Sequence, residues 1–114
     1  MAANRTEIMQ GTLDLMVLQT LQAMGAQHGY GIAKRIEQVS GDALLVNQGT
    51  VYLCLVRLVE NGWVTTEWGT SENGRKARYY SISAAGRKQL KAETENWHRV
   101  AGVIGKLLEL TAKG

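Results

Sequence analysis

The stretch NQGTVYLCLVRLVENGWVTTEWGTSENGRKARYYSI, residues 47–82, changes its hydrophobic period midway. From residue 48 to about 61 the apolar positions Val51, Cys54, Leu55 and Leu58 recur at three- and four-residue spacing, which marks a helix with one buried face. Asn47 ahead of that run is an N-cap residue type, and Asn61-Gly62 supplies the stop. Trp63-Val64-Thr65-Thr66-Glu67-Trp68 is then rich in β-branched and aromatic residues, the composition of a strand. Turn-forming residues fill 69–74, and residues 75–82 read as the return strand. On that strand Lys76, Arg78, Tyr80 and Ile82 share one parity, so a single face grades from charged at the turn to apolar at the base. A hairpin of this kind joins the core at its base and projects at its tip.

Toward the N-terminus, Thr12 stands as a helix cap with Asp14 in the first turn, where the helix dipole favours an acid. Leu13, Val17, Leu18, Leu21 and Met24 then form a buried stripe that Gly25 ends. A second helix fits residues 30–40, with Ile32, Ile36 and Val39 inward, Lys34, Arg35 and Glu37 outward, and Gly41 as the residue after its end. Residues 43–46 read as a short apolar connection. The chain has no proline, so glycine carries the punctuation throughout.

Beyond the hairpin, Ser83 caps a final helix from about residue 84 toward 109, on the order of 40 Å long. Such a rod is too long to pack wholly on so small a domain. Its apolar residues repeat by sevens: Leu90, Trp97 and Ile104 in one row, Val100 and Leu107 in another, Ala101 and Leu108 beside them. The seam is best from Trp97 onward, and a second copy of the chain is its simplest cover, so a homodimer is expected. The fold class is α+β, mainly α: a winged helix-turn-helix over residues 1–83 and a long dimerisation helix over 84–114, forming one compact unit.

Composition bounds the chemistry. The 114 residues suit one domain, and an apolar share of 45% is enough for a buried core. No apolar run approaches the roughly 20 residues that span a bilayer, and residues 1–10 lack the apolar stretch of a secretory signal. The single Cys54 excludes an internal disulfide and a cysteine-cluster zinc site, which fits a soluble cytoplasmic protein. The two histidines, His28 and His98, have no nucleophile or acid-rich motif around them, and no phosphate-cradling glycine pattern is present. No enzymatic activity, metal or cofactor is expected.

The net charge of +3 is small, but its distribution is uneven: residues 73–91 hold Arg75, Lys76, Arg78, Arg87, Lys88 and Lys91 and no acid. That is the footprint of an anionic partner, although a solvated charged face has the same composition. In a winged helix-turn-helix the third helix enters the DNA major groove with its N-terminal residues at the base edges. Here those residues are Asn47, Gln48, Gly49, Thr50 and Tyr52. Gly49 costs helix stability but bares the backbone to a phosphate, and the Thr50 and Tyr52 hydroxyls can donate to phosphate oxygens. Gln48 and Asn47 have the amides that pair with an adenine edge. On helix arithmetic alone, Asn47 as a plain cap, Thr50 as first-turn filler and Tyr52 as a half-buried aromatic describe the same positions equally well. Arg75, Lys76 and Arg78 on the wing suit phosphate contact.

Gly11-Thr12-Leu13-Asp14-Leu15, His28-Gly29-Tyr30-Gly31-Ile32, Gly49-Thr50-Val51-Tyr52, Trp68-Gly69, and Gly74-Arg75-Lys76-Ala77-Arg78-Tyr79-Tyr80 followed by Gly86-Arg87 occur in that order. Together they resemble the PadR family of bacterial transcriptional regulators, in the short form with a single C-terminal dimerisation helix. The resemblance implies a dimeric winged-helix repressor bound to double-stranded operator DNA. It implies DNA-facing roles for Gly49, Thr50, Tyr52, Arg75, Lys76 and Arg78, with His28 and Tyr30 seating the third helix and reaching the DNA backbone. Some members of the family are released from DNA by aromatic or phenolic compounds, for which a pair of Trp97 side chains near the dimer interface would offer flat walls; plain dimer packing describes Trp97 as well. Two positions depart from the family's pattern: Ala26 and Leu53 stand where proline is usual. The alternative to an operator-binding regulator is a protein-interaction module whose basic wing meets an acidic protein.

Overall fold

The computed structural model of the chain describes residues 6–7, 10–41 and 43–111. Its elements run in the order β1 (Thr6–Glu7), α1 (Gln10–Met24), α2 (Gly29–Ser40), β2 (Leu44–Leu45), α3 (Gln48–Glu60), β3 (Val64–Thr70), β4 (Lys76–Ile82) and α4 (Ala84–Thr111). The mainly helical α+β architecture expected from the periodicity is the one observed. Leu13, Val17, Leu18 and Leu21 of α1, Ile32 and Ile36 of α2, and Val51, Cys54, Leu55 and Leu58 of α3 interlock in one core, closed below by Val64, Tyr80 and Leu90. Each helix contributes most of the stripe that its spacing set apart, but Met24, expected at the end of the α1 stripe, is exposed where the helix runs past the core.

The punctuation has a clear physical basis. Asn47 Oδ1 accepts from the Thr50 N–H at 2.9 Å and starts α3. At the other end, the Gly62 N–H donates to Val59 and the Trp63 N–H to Leu58, a closure that requires the left-handed backbone of Gly62 (φ 77°). Ser83 starts α4 by accepting from the Gly86 N–H at 3.0 Å, while its own hydroxyl donates to the Gly62 carbonyl at 2.7 Å. One serine thereby joins the end of α3 to the start of α4.

Several expectations are corrected. α1 begins at Gln10, so Thr12 lies inside the helix and does not cap it. Asp14 is likewise past the first turn; its carboxylate pairs with Arg57 of α3 and accepts from the Cys54 thiol at 3.1 Å. Val39 is 72% exposed, because α2 rests on the core through Ile32, Ala33 and Ile36 and turns Val39 away. Leu90 is buried in the chain's own core and does not belong to the exposed row of α4; the helix is still against the body there and leaves it only beyond that point. β3 extends through Gly69 and Thr70, and the turn narrows to residues 71–75, where Ser71 and Arg75 are bridged by backbone hydrogen bonding. The connection before α3 carries a two-residue strand, with Leu44 and Leu45 pairing in parallel with Thr6 and Glu7.

The hairpin is antiparallel, with Val64 opposite Ile82, Thr66 opposite Tyr80 and Trp68 opposite Arg78. A third edge was not visible in the sequence: Gln27, between α1 and α2, exchanges both backbone hydrogen bonds with Tyr80, at 3.0 and 2.8 Å. The radius of gyration is 16.4 Å, above the roughly 13 Å of a compact chain of this size. The excess comes from α4, whose 28 residues run well past the body.

Two outcomes follow. A Cβ at Gly86 would run into the Trp63 carbonyl and stand 2.8 Å from Ile82 Cγ1. Gly86→Ala should therefore cost about 1–3 kcal/mol of stability in chemical denaturation at fixed protein concentration. Cys54 is 1% exposed, and burial first, then the Asp14 carboxylate, push its thiol far above the ordinary range, with Arg57 only partly opposing. In the native protein, a thiol reagent at mildly alkaline pH should label Cys54 no faster than the chain opens; prompt labelling would contradict this packing.

Candidate nucleic-acid interface

Three segments bring the singled-out residues to the surface. The first is the start of α2. His28 caps it, with Nδ1 accepting from the Gly31 N–H at 3.0 Å. In the neutral ring the proton then sits on Nε2. The His28 ring lies 5.6 Å from that of Tyr79 on β4 and 6.2 Å from that of Tyr30. Tyr30 is half exposed, and Lys34, one turn on, holds its ammonium 5.7 Å from the ring centre.

The second segment is the start of α3. Residues 47–50 and Tyr52 are exposed, while Val51 between them is buried, so the helix enters solvent on the side opposite its stripe. Asn47 Oδ1 takes both the N–H and the hydroxyl of Thr50, at 2.9 and 3.1 Å, and is thereby committed to the cap. Gly49 sits beneath that same oxygen: an added Cβ would lie 3.3 Å from it. A cleft of about 510 Å³ joins this segment to the first, with Tyr30, Lys34, Asn47 and Gln48 in its wall.

The third segment is the hairpin. Lys76 and Arg78 lie on the face graded from charged to apolar, and Trp68, 58% exposed, is the aromatic between them. The Lys76 ammonium is 5.1 Å and the Arg78 guanidinium 5.3 Å from its ring centre. Both cations are steered to one side of the wing by the ring's negative face. Arg75 is exposed at the turn. Tyr80 connects wing and helix: burial raises its hydroxyl pKa, Arg78 lowers it and Tyr52 raises it, so all three groups are within electrostatic reach. Arg87, Lys88 and Lys91 point into solvent from α4.

Beyond these, the site holds residues that the sequence reading passed over. Lys34 was legible only as an outward residue of an amphipathic helix, and Trp68 as a strand former and part of a family motif with no contact role. Leu53 and Val56 on α3, 66% and 38% exposed, fall outside the buried stripe. Their signal was present: both lie opposite Val51, Cys54, Leu55 and Leu58 on a helical projection.

Away from this surface, α4 exposes Trp97, Val100, Val103, Ile104, Leu107 and Leu108, and Ala101 is exposed among them. Trp97 packs its edge against the His98 ring, centres 5.2 Å apart. It also borders a groove of about 690 Å³ between α1, α2 and α4, where Leu15, Met16, Met24, Val39 and Leu44 provide an apolar wall. Among the described residues no acidic, histidine or cysteine cluster could hold a metal ion, and no helix is long and apolar enough to cross a membrane.

The fold recurs in known proteins. A transcriptional regulator from Clostridium thermocellum is 30% identical to the chain, with a TM-score of 0.77 over 85% of this chain and 93% of its own. A PadR family transcriptional regulator from Eggerthella lenta is 27% identical, with a TM-score of 0.76 over 88% of this chain and 84% of its own. A protein from Streptococcus mutans shares the fold at 21% identity, with a TM-score of 0.79 over 91% of this chain and 92% of its own. Residues 17–92, from the middle of α1 to the first turns of α4, match the Transcriptional regulator PadR-like family. The chain, a winged helix with a helix-turn-helix and a long C-terminal helix, belongs to that family of transcriptional regulators, which are not enzymes.

Proposed function

We infer that the chain is a sequence-specific DNA-binding repressor, active in the cytoplasm as a homodimer and released from its operator by a small planar aromatic effector. One observation carries the reading. Tyr30 and Lys34 share a cleft with Asn47 and Gln48, which Glu37 also lines, and Tyr52 and the wing's Arg78 both lie within electrostatic reach of Tyr80, so α2, α3 and the wing carry their polar groups on neighbouring surfaces. In this reading α3 enters the major groove, Gln48 pairs with a base edge, Tyr52 donates to a phosphate, and Thr50 does so when its hydroxyl turns from Asn47 Oδ1, the backbone N–H keeping the cap. Asn47 holds the cap that aims them, and Gly49 lets the backbone approach. The Nε2–H of His28 and the Tyr30 hydroxyl reach the phosphates beside α2, and the wing cations those beyond. Repression needs no further surface, because a bound dimer already occludes a promoter.

Dimerisation is assigned to α4. Its exposed row from Trp97 through Val100, Ala101 and Ile104 to Leu107 and Leu108 is too apolar and too continuous for a solvated helix. The apolar groove beside Trp97 has the size of a small-ligand site. A flat aromatic compound stacked on Trp97 would touch both α4, which holds the dimer, and α2, whose first turn belongs to the proposed DNA surface.

Fluorescence anisotropy with DNA from upstream of the gene, against scrambled DNA, tests the operator reading. Arg75→Ala and Lys76→Ala should each weaken all sequences alike and reduce the slope of log K on log salt by roughly one. Gln48→Ala should instead change the ranking of sequences, by about 1–3 kcal/mol at the base it reads. A shallow salt slope with no sequence preference would favour an acidic protein partner.

Ile104→Glu should convert a sedimenting dimer to monomer and lower operator affinity on the order of a hundredfold through lost bivalency. Planar aromatic compounds should quench the part of the emission that Trp97→Phe removes, and should weaken operator binding in the same titration. If neither emission nor affinity moves, the effector assignment is wrong.

A further inference from the structure

The outward face of α3 is not polar throughout. Gly49, Leu53, Val56 and Glu60 follow one another at four-, three- and four-residue steps, opposite the buried stripe. The middle of that line is therefore aliphatic and in water, with Leu53 66% and Val56 38% exposed. The flanks differ sharply from it. Gln48 and Thr50 stand at its N-terminal end and Tyr52 beside it, and the wing that carries Arg78 and Lys76 lies next to Tyr52 through Tyr80. No acidic residue occurs between positions 47 and 59.

A narrow aliphatic ridge with cations and hydroxyls along its sides matches one surface in particular. The floor of the DNA major groove presents the C5-methyl of every thymine, and its rims are phosphates. A protein partner fits less well, because two aliphatic side chains supply little of the roughly 800 Å² that each side of a stable protein interface buries. We propose that Leu53, supported by Val56, is a specificity-determining residue that reads thymine methyl groups, so that the operator carries thymine beneath the middle of α3. This rests on the operator-binding reading above. Gly49 contributes by leaving nothing in the way of the base adjoining that contact.

The test removes the methyl groups without changing the hydrogen-bonding edge. The full chain selects duplexes from a random-sequence pool, and the tightest is resynthesised with deoxyuridine at every thymine. The wild-type protein should bind the uracil duplex more weakly, by about fourfold for each contacted methyl. Leu53→Ala should bind thymine and uracil duplexes equally and keep the wild-type salt slope, and Val56→Ala should reduce the difference in part. Both positions are exposed, so the variants should retain the wild-type circular dichroism. Equal wild-type affinity for the two duplexes, or a thymine preference that survives in Leu53→Ala, would overturn the assignment and leave operator binding intact. Selection that enriches no duplex would overturn operator binding itself, and this assignment with it.

Discussion

The two backbone hydrogen bonds between Gln27 and Tyr80 hold the candidate DNA-binding surface together. A two-stranded hairpin alone is marginal in water, and this pairing gives β4 a partner on its second edge. The same short region does more. His28, directly after Gln27, caps α2, and its ring packs on Tyr79, directly before Tyr80. Wing position and the start of α2 are thus set by adjacent residues on both strands of one contact. With the Tyr80 side chain 6% exposed, the hairpin base belongs to the core, and only its charged half projects.

A second tie works from the opposite side of α3. Asp14 reaches from α1 to Arg57 and Cys54 of α3 and meets both a cation and a thiol donor. Hydrophobic contact between α1 and α3 leaves sliding and rotation cheap, whereas charge-assisted hydrogen bonds are directional. The pair therefore selects one rotation of α3, the one that turns Gln48, Thr50 and Tyr52 outward. Cys54, held in that contact and buried, is a packing and hydrogen-bonding residue.

Most of this architecture was legible because apolar spacing is a direct image of burial. Val51, Cys54, Leu55 and Leu58 are buried as their period required, and Asn47, Gly41, Gly62 and Ser83 end or begin their helices as their backbone chemistry required. The misreadings share a cause: each depended on contacts between residues distant in sequence. Asp14 looked like a dipole-compensating acid until Arg57 came beside it. Leu90 fits a heptad row as well as it fits the core, and only the docking of α4 decides between them. Gln27 carries no strand signal at all, since its pairing uses backbone groups that every residue has. In the candidate interface, loop and cap residues were visible through their special chemistry, and the cations through their clustering. Val56 was passed over and Trp68 and Leu53 were given no contact role, although the helical projection already set Leu53 and Val56 opposite the buried stripe; only the pairing of β3 with β4 sets Trp68 beside Lys76 and Arg78.

The close seating of Gly86 on the Trp63 carbonyl has a mechanical consequence. With no side chain between them, α4 and the residue ahead of β3 meet backbone to backbone, and with Leu90 buried one turn on, α4 is held at its root as a beam is held at a fulcrum. The helix leaves the body beyond Leu90 and ends at Thr111, and at 1.5 Å per residue a tilt of about 5° carries that end through roughly 3 Å. The leverage runs in both directions. In the proposed dimer, a small change in how the free ends of two such beams cross would be delivered, reduced in amplitude and increased in force, to the root of the wing.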